Sequence, residues 1–455
     1  MNNKKSFSLV QPLTWSFSII CLFASFWPRQ VFADTTSINL PSVTEALQIG
    51  LSNNYGVRIQ KNSEQQAHIQ IKTAYGTLLP NLEAYGSLNW NQEKVTDSTN
   101  RNTQTQRQEL GLKAQWTLFD GFGMFYSASA AKAGLEWAKL STQEKIESAT
   151  LDISRKYFQL IASRSLLRIA QMQDSLGQRR WKKIEAKKNL GTSTRREWLS
   201  ARVSRNADRS VVLARELEAA AAQRDLVLAL GLPAPTQVIL SDSLPQLDTS
   251  GLSLVLYQSS AEKLNKALQL SQLRGKILNL NTSIQASQFW PKLVAYGTLG
   301  QSWVQSETKP TARAVPDREI QALGAGLQVS FPIFTGFKKV TAYQNSQLEE
   351  QNAKLNRTEL EQKIAGLVEQ QWLLLKKGLE SQELEAEASE FAQAQMQVLE
   401  DLWQMGQATD LEFNEARFQY TQTLGRLILA RIQILNAYME LERMSGSIEL
   451  NRLTK

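Results

Sequence analysis

The stretch LGLKAQWTLFDGF, residues 110–122, decides the fold of this chain. Apolar and polar residues alternate up to Leu118, which is the pattern of a strand with one solvated face. Asp120 and Gly121 end the alternation, and a helical pattern without proline follows. A similar stretch, LGAGLQVSFPIFTGF, occupies residues 323–337 and places Gly336 215 positions after Gly121. A strand that passes into a long helix therefore occurs twice.

Residues 1–33 have the features of a secretory signal peptide. A basic start is followed by an apolar run and by a small residue, Ala33, before the expected cleavage site. The run is too short and too poorly flanked for a good membrane-spanning helix. The single cysteine, Cys21, lies within this segment. The exported chain should therefore contain no disulfide and no thiol nucleophile.

The remaining composition gives no sign of catalysis. The single histidine, His68, lies on a polar helix face and is interpreted as a surface residue. No His, Cys or carboxylate cluster has metal-ligand spacing, and Gly121 and Gly123 lack the third glycine of a dinucleotide fingerprint. The formal charge of +8 comes from intermixed basic and acidic residues, so nucleic-acid binding is not expected. We expect no enzyme, no cofactor and no metal.

The first half of the chain reads as a helix, a β-hairpin and a long helical hairpin. Ser42 and Glu45 have capping-box spacing at the start of a helix that extends to about residue 78. Strands are predicted at 82–90 and 109–118, joined by a polar loop at 91–108. A helix of about 68 residues and ~100 Å follows, which is typical of a coiled coil or a helical barrel. Gly191 ends it, and the next helix begins at Thr194 and Glu197 and stops near Gly231.

The second half repeats this order. A helix is predicted at 252–288, strands at 293–303 and 323–334, a loop at 304–318, and a long helix from 337 to 405. Gly406 ends that helix, and Thr409 and Glu412 form the next capping box. Equivalent residues are 211 positions apart before the hairpin loop and 215 after it, which indicates a duplication. The domains are predicted at 34–233 and 252–446, with a linker at 234–251 and a tail at 447–455.

The four strands are long enough to cross a tilted bilayer. An open sheet edge in lipid leaves backbone groups unpaired at several kcal/mol each. The smallest closed membrane barrels have eight strands, so this chain would have to assemble, giving eight strands from two copies or twelve from three. Trp90, Trp116 and Trp303 suit a membrane interface. A soluble sheet with one solvated face is the alternative.

Together these features resemble the TolC-type outer membrane efflux protein family over about residues 40–446. The resemblance rests on the duplication, on LPNL (79–82) and WPKL (290–293) before the strands, on FDG (119–121) and PIFTG (332–336) after them, and on the tip glycines at 191 and 406. It implies an α+β membrane protein: a homotrimer with a twelve-stranded outer-membrane β-barrel continuous with a twelve-helix periplasmic α-barrel. Two departures are Thr117, where the second half has Pro332, and the short tail.

The function implied by the resemblance is a passive exit duct for efflux or type I protein secretion. Such a duct spans from the outer-membrane lipid into the periplasm and works with a periplasmic adaptor and an energised inner-membrane transporter. The alternative is a periplasmic coiled-coil adaptor or tether without a pore, which would normally have one helical hairpin per chain.

Four sets of residues are candidates for function. The family resemblance places an acidic gate at Glu412 and Glu415, with Glu197 as the counterpart in the first hairpin; capping is the alternative role of Glu412 and Glu197. The predicted adaptor-docking tips are Leu190, Gly191, Thr192, Met405, Gly406 and Gln407. The predicted barrel-to-tunnel junctions are Asp120, Gly121, Pro332, Thr335 and Gly336. The predicted lumen-facing strand residues are Lys113, Gln115, Gln328 and Ser330.

Overall fold

The computed structural model of the chain describes residues 36–40, 42–95, 101–233, 236–240, 243–309, 317–446 and 453–454. The signal peptide predicted at 1–33 lies outside these residues, as does most of the tail predicted at 447–455. Among the helices described, none is long and apolar enough to cross a membrane.

The two halves of the chain have the same order of helices and hairpin strands. The first half contains β1 Thr36–Leu40, α1 Val43–Asn53, α2 Tyr55–Gly76, β2 Asn81–Val95, β3 Arg101–Phe119, α3 Gly123–Asn189 and α4 Arg195–Ala229. The second contains β4 Thr236–Leu240, β5 Gln246–Leu247, α5 Leu254–Leu264, α6 Lys266–Ser287, β6 Lys292–Lys309, β7 Arg318–Ser330, α7 Lys338–Met405, α8 Asp410–Met444 and β8 Leu453–Thr454. The long helices α3 and α7 have 67 and 68 residues, as their proline-free patterns predicted.

Two of the predicted helices are broken by an asparagine. Asn54 separates α1 from α2, and its side chain accepts a hydrogen bond from the Val57 amide at 3.1 Å. Asn265 separates α5 from α6 in the same way, and it also donates to the Met444 carbonyl at 3.0 Å. The predictions of continuous helices at 42–78 and 252–288 were therefore wrong, because an asparagine side chain can cap a new helix where the backbone turns away from the old one.

The strands are longer than predicted. The four hairpin strands form one antiparallel sheet in the order β2-β3-β6-β7. Its ladder continues through residues predicted to be loop, for example where Asn91 of β2 pairs with Thr105 of β3. This part of the ladder was not predicted, because its side chains are polar on both faces and the residues therefore show no apolar–polar alternation. In contrast, β7 ends at Ser330, four residues before the predicted end, and Pro332 beyond it has no amide hydrogen for a ladder.

The main hydrophobic core lies beside two small sheets, where the long helices meet the segment between the halves. Strand β1 pairs with β4 in parallel, and β5 pairs with β8. Leu40 and Val238 from the first pair are buried against Tyr157 of α3 and Tyr438 of α8. Residues 234–251, predicted to be a linker, therefore contain two strands and contribute to this core.

The helices form two rows. Near the sheet the order is α2-α3-α6-α7, because α3 packs against α2 and α6, and α6 packs against α7. Farther from the sheet the order is α4-α3-α8-α7, because α3 packs against α4 and α8, and α8 packs against α7. Helix α7 therefore lies at one end of both rows, on the same side as the edge strand β7.

Candidate functional site

The strand register places the four predicted lumen residues on one face of the sheet. Lys113 and Gln115 pair with Thr298 and Tyr296, and these two pair in turn with Gly324 and Gly326 of β7. Gln328 and Ser330 lie two and four residues after Gly326 on β7. Side chains two residues apart share a face, so these polar groups lie together.

The opposite face of the sheet is apolar and uncovered in the single chain. Leu82, Leu88 and Trp90 of β2 are each more than 60% exposed, and Leu323 of β7 is 85% exposed. Solvent-exposed apolar area of this extent marks a surface that meets lipid or protein. Trp116 at one end of this face is fixed by a hydrogen bond from its Nε1 to the Leu78 carbonyl at 2.9 Å.

At the first strand-to-helix junction, a left-handed turn connects β3 with α3. Gly121 has φ +71°, and a Cβ there would lie 2.7 Å from Trp290 Cβ and would also overlap the Ser287 carbonyl. Phe122 follows at φ 68°, a conformation that costs a non-glycine residue about 1–2 kcal/mol. Asp120 offsets part of this cost, because its Oδ1 accepts the Met124 amide at 3.2 Å in the first turn of α3.

The second junction has the same backbone conformation, but its glycine is not packed against other residues of the single chain. Gly336 has φ +62° and Phe337 has φ 63°. A Cβ on Gly336 would meet nothing within 4 Å in the single chain. The Thr335 carbonyl accepts a hydrogen bond from the Lys338 amide at 3.4 Å. Phe337 stacks edge-on against Phe334 with centroids 5.6 Å apart, as Phe122 does against Phe119 at 5.4 Å. This aromatic contact was not predicted from the sequence, although its spacing of three residues recurs in both halves.

The two helical tips are tight glycine turns. Gly191 has φ +71° and Gly406 has φ +79°, and the next amide in each case, from Thr192 or Gln407, bonds to a carbonyl five residues earlier at 2.9 and 2.8 Å. Leu190 and Met405 precede the glycines and are 78% and 65% exposed. All six residues predicted as tips therefore lie at the two helical turns.

Glu197 and Glu412 are engaged as capping residues. Glu197 accepts the Thr194 amide at 3.0 Å, and Glu412 accepts the Thr409 amide at 2.7 Å. The backbone hydrogen bond from Thr194, followed by the Ser193 hydroxyl, lowers the pKa of Glu197. The hydroxyl and then the amide of Thr409 lower the pKa of Glu412. Both carboxylates remain charged and exposed.

Glu415 differs from the other two gate candidates. It is exposed, and within the described residues its carboxylate forms no hydrogen bond or ion pair. Glu412 and Glu415 are three residues apart in the first two turns of α8 and thus share a face. The arrangement offers two negative groups side by side at the same tip.

A buried ionic network that was not predicted from the sequence lies behind the tips. Arg417 of α8 donates to Asp208 of α4 at 2.7 Å and to the Gln173 carbonyl of α3 at 2.7 Å. The Arg417 and Asp208 side chains are 2% and 5% exposed. A Cβ at Gly177 of α3 would collide with this pair, so the glycine provides the space. The network joins three long helices from both halves.

A second ion pair lies about two turns nearer the tip. Arg180 of α3, 4% exposed in its side chain, forms a two-pronged contact with Asp410 of α8. It also donates to Asn414 Oδ1 at 3.0 Å. Lys183 then donates to the Trp403 carbonyl at 2.9 Å and lies 4.0 Å above the Trp403 ring. These contacts hold the first helical hairpin against the second. In the sequence the same charges resemble ordinary solvated residues of amphipathic helices.

Comparison with known proteins identifies this architecture. A model of the outer membrane efflux protein family matches residues 46–232 and 257–447, most of the chain. The chain belongs to the outer membrane efflux protein family. No curated protein matches it at a significant level. As a member of this family it is a transport protein of the outer membrane that spans into the periplasm, and it is not an enzyme.

Solved structures agree on the fold. The chain is similar to the CmeC outer membrane channel of Campylobacter jejuni, with a TM-score of 0.77 and 14% identity over 89% of this chain and 85% of that one. It is also similar to CusC, with a TM-score of 0.71, 18% identity, and coverage of 89% and 92%. The open MtrE channel of Neisseria gonorrhoeae gives a TM-score of 0.73 and 16% identity, with 91% of both chains covered. At these identities the likeness concerns the fold.

Proposed function

We propose that three copies of this duplicated chain form a twelve-stranded outer-membrane barrel that continues into a twelve-helix tunnel, and that the tube is a passive exit duct. The observation that carries the proposal is the sheet with two free edges, β2 and β7, and one exposed apolar face. In lipid those edges must pair, and four strands per chain give twelve in a trimer.

The dimensions of the apolar face suit a membrane. The apolar stretch of β2 from Leu82 to Trp90 spans ~27 Å at about 3.4 Å per residue. With strands tilted by about 40° it covers ~21 Å of height, close to the ~25 Å band of outer-membrane barrels. The polar face with Lys113 and Gln115 then lines the lumen.

The other end of the tube carries the proposed gate and docking surface. Glu412 and Glu415 from three copies place six carboxylates around a narrow opening, and such a ring favours cations. The exposed tips around Gly191 and Gly406 are the proposed contacts for a periplasmic adaptor, which connects the duct to an energised inner-membrane transporter. Both drug efflux and type I secretion fit this arrangement. A pore-less adaptor remains the alternative.

Ion selectivity in planar bilayers tests the proposal, because two lysines of the sheet make a matched pair. Lys113 lies on the polar face, whereas Lys94 lies on the opposite face beyond the apolar stretch. We expect Lys113→Glu to shift the reversal potential toward cations and Lys94→Glu to leave it unchanged. A wild-type protein that fractionates with soluble periplasmic proteins and forms no channels would refute the duct and favour the adaptor.

A further inference from the structure

A basic cavity lies between the long helices and the segment that joins the two halves of the chain. Its volume is about 710 Å³, within the range of about 300–1,000 Å³ that is usual for ligand pockets. Helix α3 of the first half, helix α8 of the second half, Leu240 and residues 243–246 form its walls. Helices α3 and α8 pack against each other in the middle of the row α4-α3-α8-α7, so these walls come from one chain.

Three guanidinium groups line the cavity. Arg164 and Arg168 lie one turn apart on α3, and Arg431 lies on α8. Arg164 and Arg431 are half-buried, whereas Arg168 is exposed. Like charges four residues apart on a helix destabilise it. Among the described residues that line the cavity none is acidic, so the three positive charges converge without a carboxylate to balance them.

The three arginines have few partners within the chain. Arg164 donates to Gln223 Oε1 at 3.1 Å and to the Val238 carbonyl at 2.5 Å, and both acceptors are uncharged. In the part of the chain that the structure describes, Arg168 and Arg431 form no hydrogen bond or ion pair. The Nε of Arg431 is nevertheless buried. A buried donor without an acceptor is costly, so an acceptor inside the cavity would be stabilising.

The surroundings of the cavity strengthen its attraction for an anion. Burial lowers the pKa of Arg164, because the charged guanidinium loses part of its hydration there. A guanidinium stays charged at neutral pH all the same, and an electrostatic interaction is stronger in a partly dehydrated site than in water. Ser165, Ser243 and Gln246 also line the cavity, and hydroxyl and amide groups are suitable donors for an oxyanion.

We infer that this cavity binds a small multivalent oxyanion, which Arg164, Arg168 and Arg431 hold together. The planar guanidinium presents paired donors that match the oxygens of a phosphate or a carboxylate. Three positive charges favour an anion with several negative charges over a monovalent one. Such an anion would connect α3, α8 and the joining segment, and thus both halves of the chain. The inference goes beyond the proposed duct and does not rest on the trimer.

Calorimetric titration of the detergent-solubilised protein, in a metal-free buffer of low chloride content, tests for the site. The probes are pyrophosphate, citrate and, as the monovalent control, acetate. We expect pyrophosphate or citrate to bind at one site per chain, and the tighter of the two identifies the phosphate or the carboxylate as the preferred group. Acetate should bind at least about tenfold more weakly. The inference fails if neither multivalent probe binds at about 10 mM.

Arginine variants test which groups hold the anion. Arg431→Lys keeps the positive charge but loses the paired donors, and Arg168→Gln removes one charge. Each should weaken binding of the tighter probe about tenfold or more, as expected for a lost charge-assisted hydrogen bond. The matched control is Arg209→Gln, which removes an exposed arginine of α4 and should leave the affinity unchanged. Equal affinity in all three variants would show adventitious surface binding and overturn the inference.

Crystals grown with selenate can locate the anion, because selenium gives an anomalous signal. We expect an anomalous peak within hydrogen-bond reach of the Arg431 and Arg168 guanidinium groups, and peaks at other sites only would contradict the inference. Asp242 of the joining segment lies outside the described residues, and its carboxylate is the alternative occupant. Binding that appears only in Asp242→Asn would show that the chain fills the cavity itself. A protein that forms channels but binds no anion would leave the proposed duct standing.

Discussion

Removing Arg417 from the buried network should loosen the periplasmic half of the helical hairpins. Arg417→Met keeps much of the side-chain length but removes the ion pair of Asp208, whose side chain is 5% exposed. Asp208 then keeps the hydrogen bond that its Oδ1 accepts from the side-chain Nε2 of Gln173 at 2.8 Å. Breaking a buried ion pair by removing one partner costs about 3–5 kcal/mol. The matched control is Arg426→Met, whose pair with Glu385 is 45% and 20% exposed. That change should cost at most about 1 kcal/mol.

Hydrogen–deuterium exchange of the detergent-solubilised protein can measure this difference locally. Because about 1.4 kcal/mol is tenfold in an equilibrium constant, α3 near Gln173 and α4 near Asp208 should exchange roughly 10²-fold to 4 × 10³-fold faster in Arg417→Met. The double change Arg417→Met/Asp208→Leu should recover most of the protection, since apolar replacement of a buried pair is often neutral. Equal exchange in Arg417→Met and Arg426→Met, or no recovery in the double variant, would show that the pair does not hold these helices.

Three further changes test the junctions and the tip. Gly121→Val and Gly336→Val should each reduce the yield of heat-modifiable trimer more than Lys113→Gln does, because both glycines have positive φ; wild-type yield from both would contradict this. Glu412→Gln combined with Glu415→Gln should weaken cation selectivity in single-channel recordings, and unchanged selectivity would remove both residues from the gate. Hydrogen bonds from the N-cap residue lower the pKa of Glu412, so its stabilisation of α8 is complete above the unfolded pKa and is lost as the pH falls through the folded pKa. Amide exchange in the first turn of α8 should rise only in acid, and Glu412→Ala should remove this dependence.

The elements that were predicted correctly from the sequence are those whose signals are local. The absence of proline, the glycines at 191 and 406, and the Thr194 and Thr409 capping boxes determine the long helices, because each acts within one turn of chain. The register of β3 with β6 also agrees with the predicted polar and apolar faces.

Two of the features that were not predicted depend on partners far apart in the sequence. A third, the pair of helix breaks, had a signal in the sequence that was not used. Leu40 and Leu240 pair across 200 residues in strands too short for a recognisable pattern. The buried role of Arg417 depends on Asp208, 209 positions earlier. The breaks at Asn54 and Asn265 were detectable, because the two asparagines are 211 positions apart, the offset already found for that part of the chain.

A side chain at Gly121 would disturb the folding of the single chain, whereas a side chain at Gly336 would disturb the association of subunits. Gly121 packs against Ser287 and Trp290 of its own chain, so a side chain there acts at any protein concentration. Gly336 lies on the β7–α7 side, where its neighbours in the proposed trimer would come from another copy. At the 211-residue offset, the residue corresponding to Trp290 is Leu79, 66% exposed at the opposite side of the chain. Damage at Gly336 should therefore diminish as protomer concentration rises, by mass action, while damage at Gly121 should not.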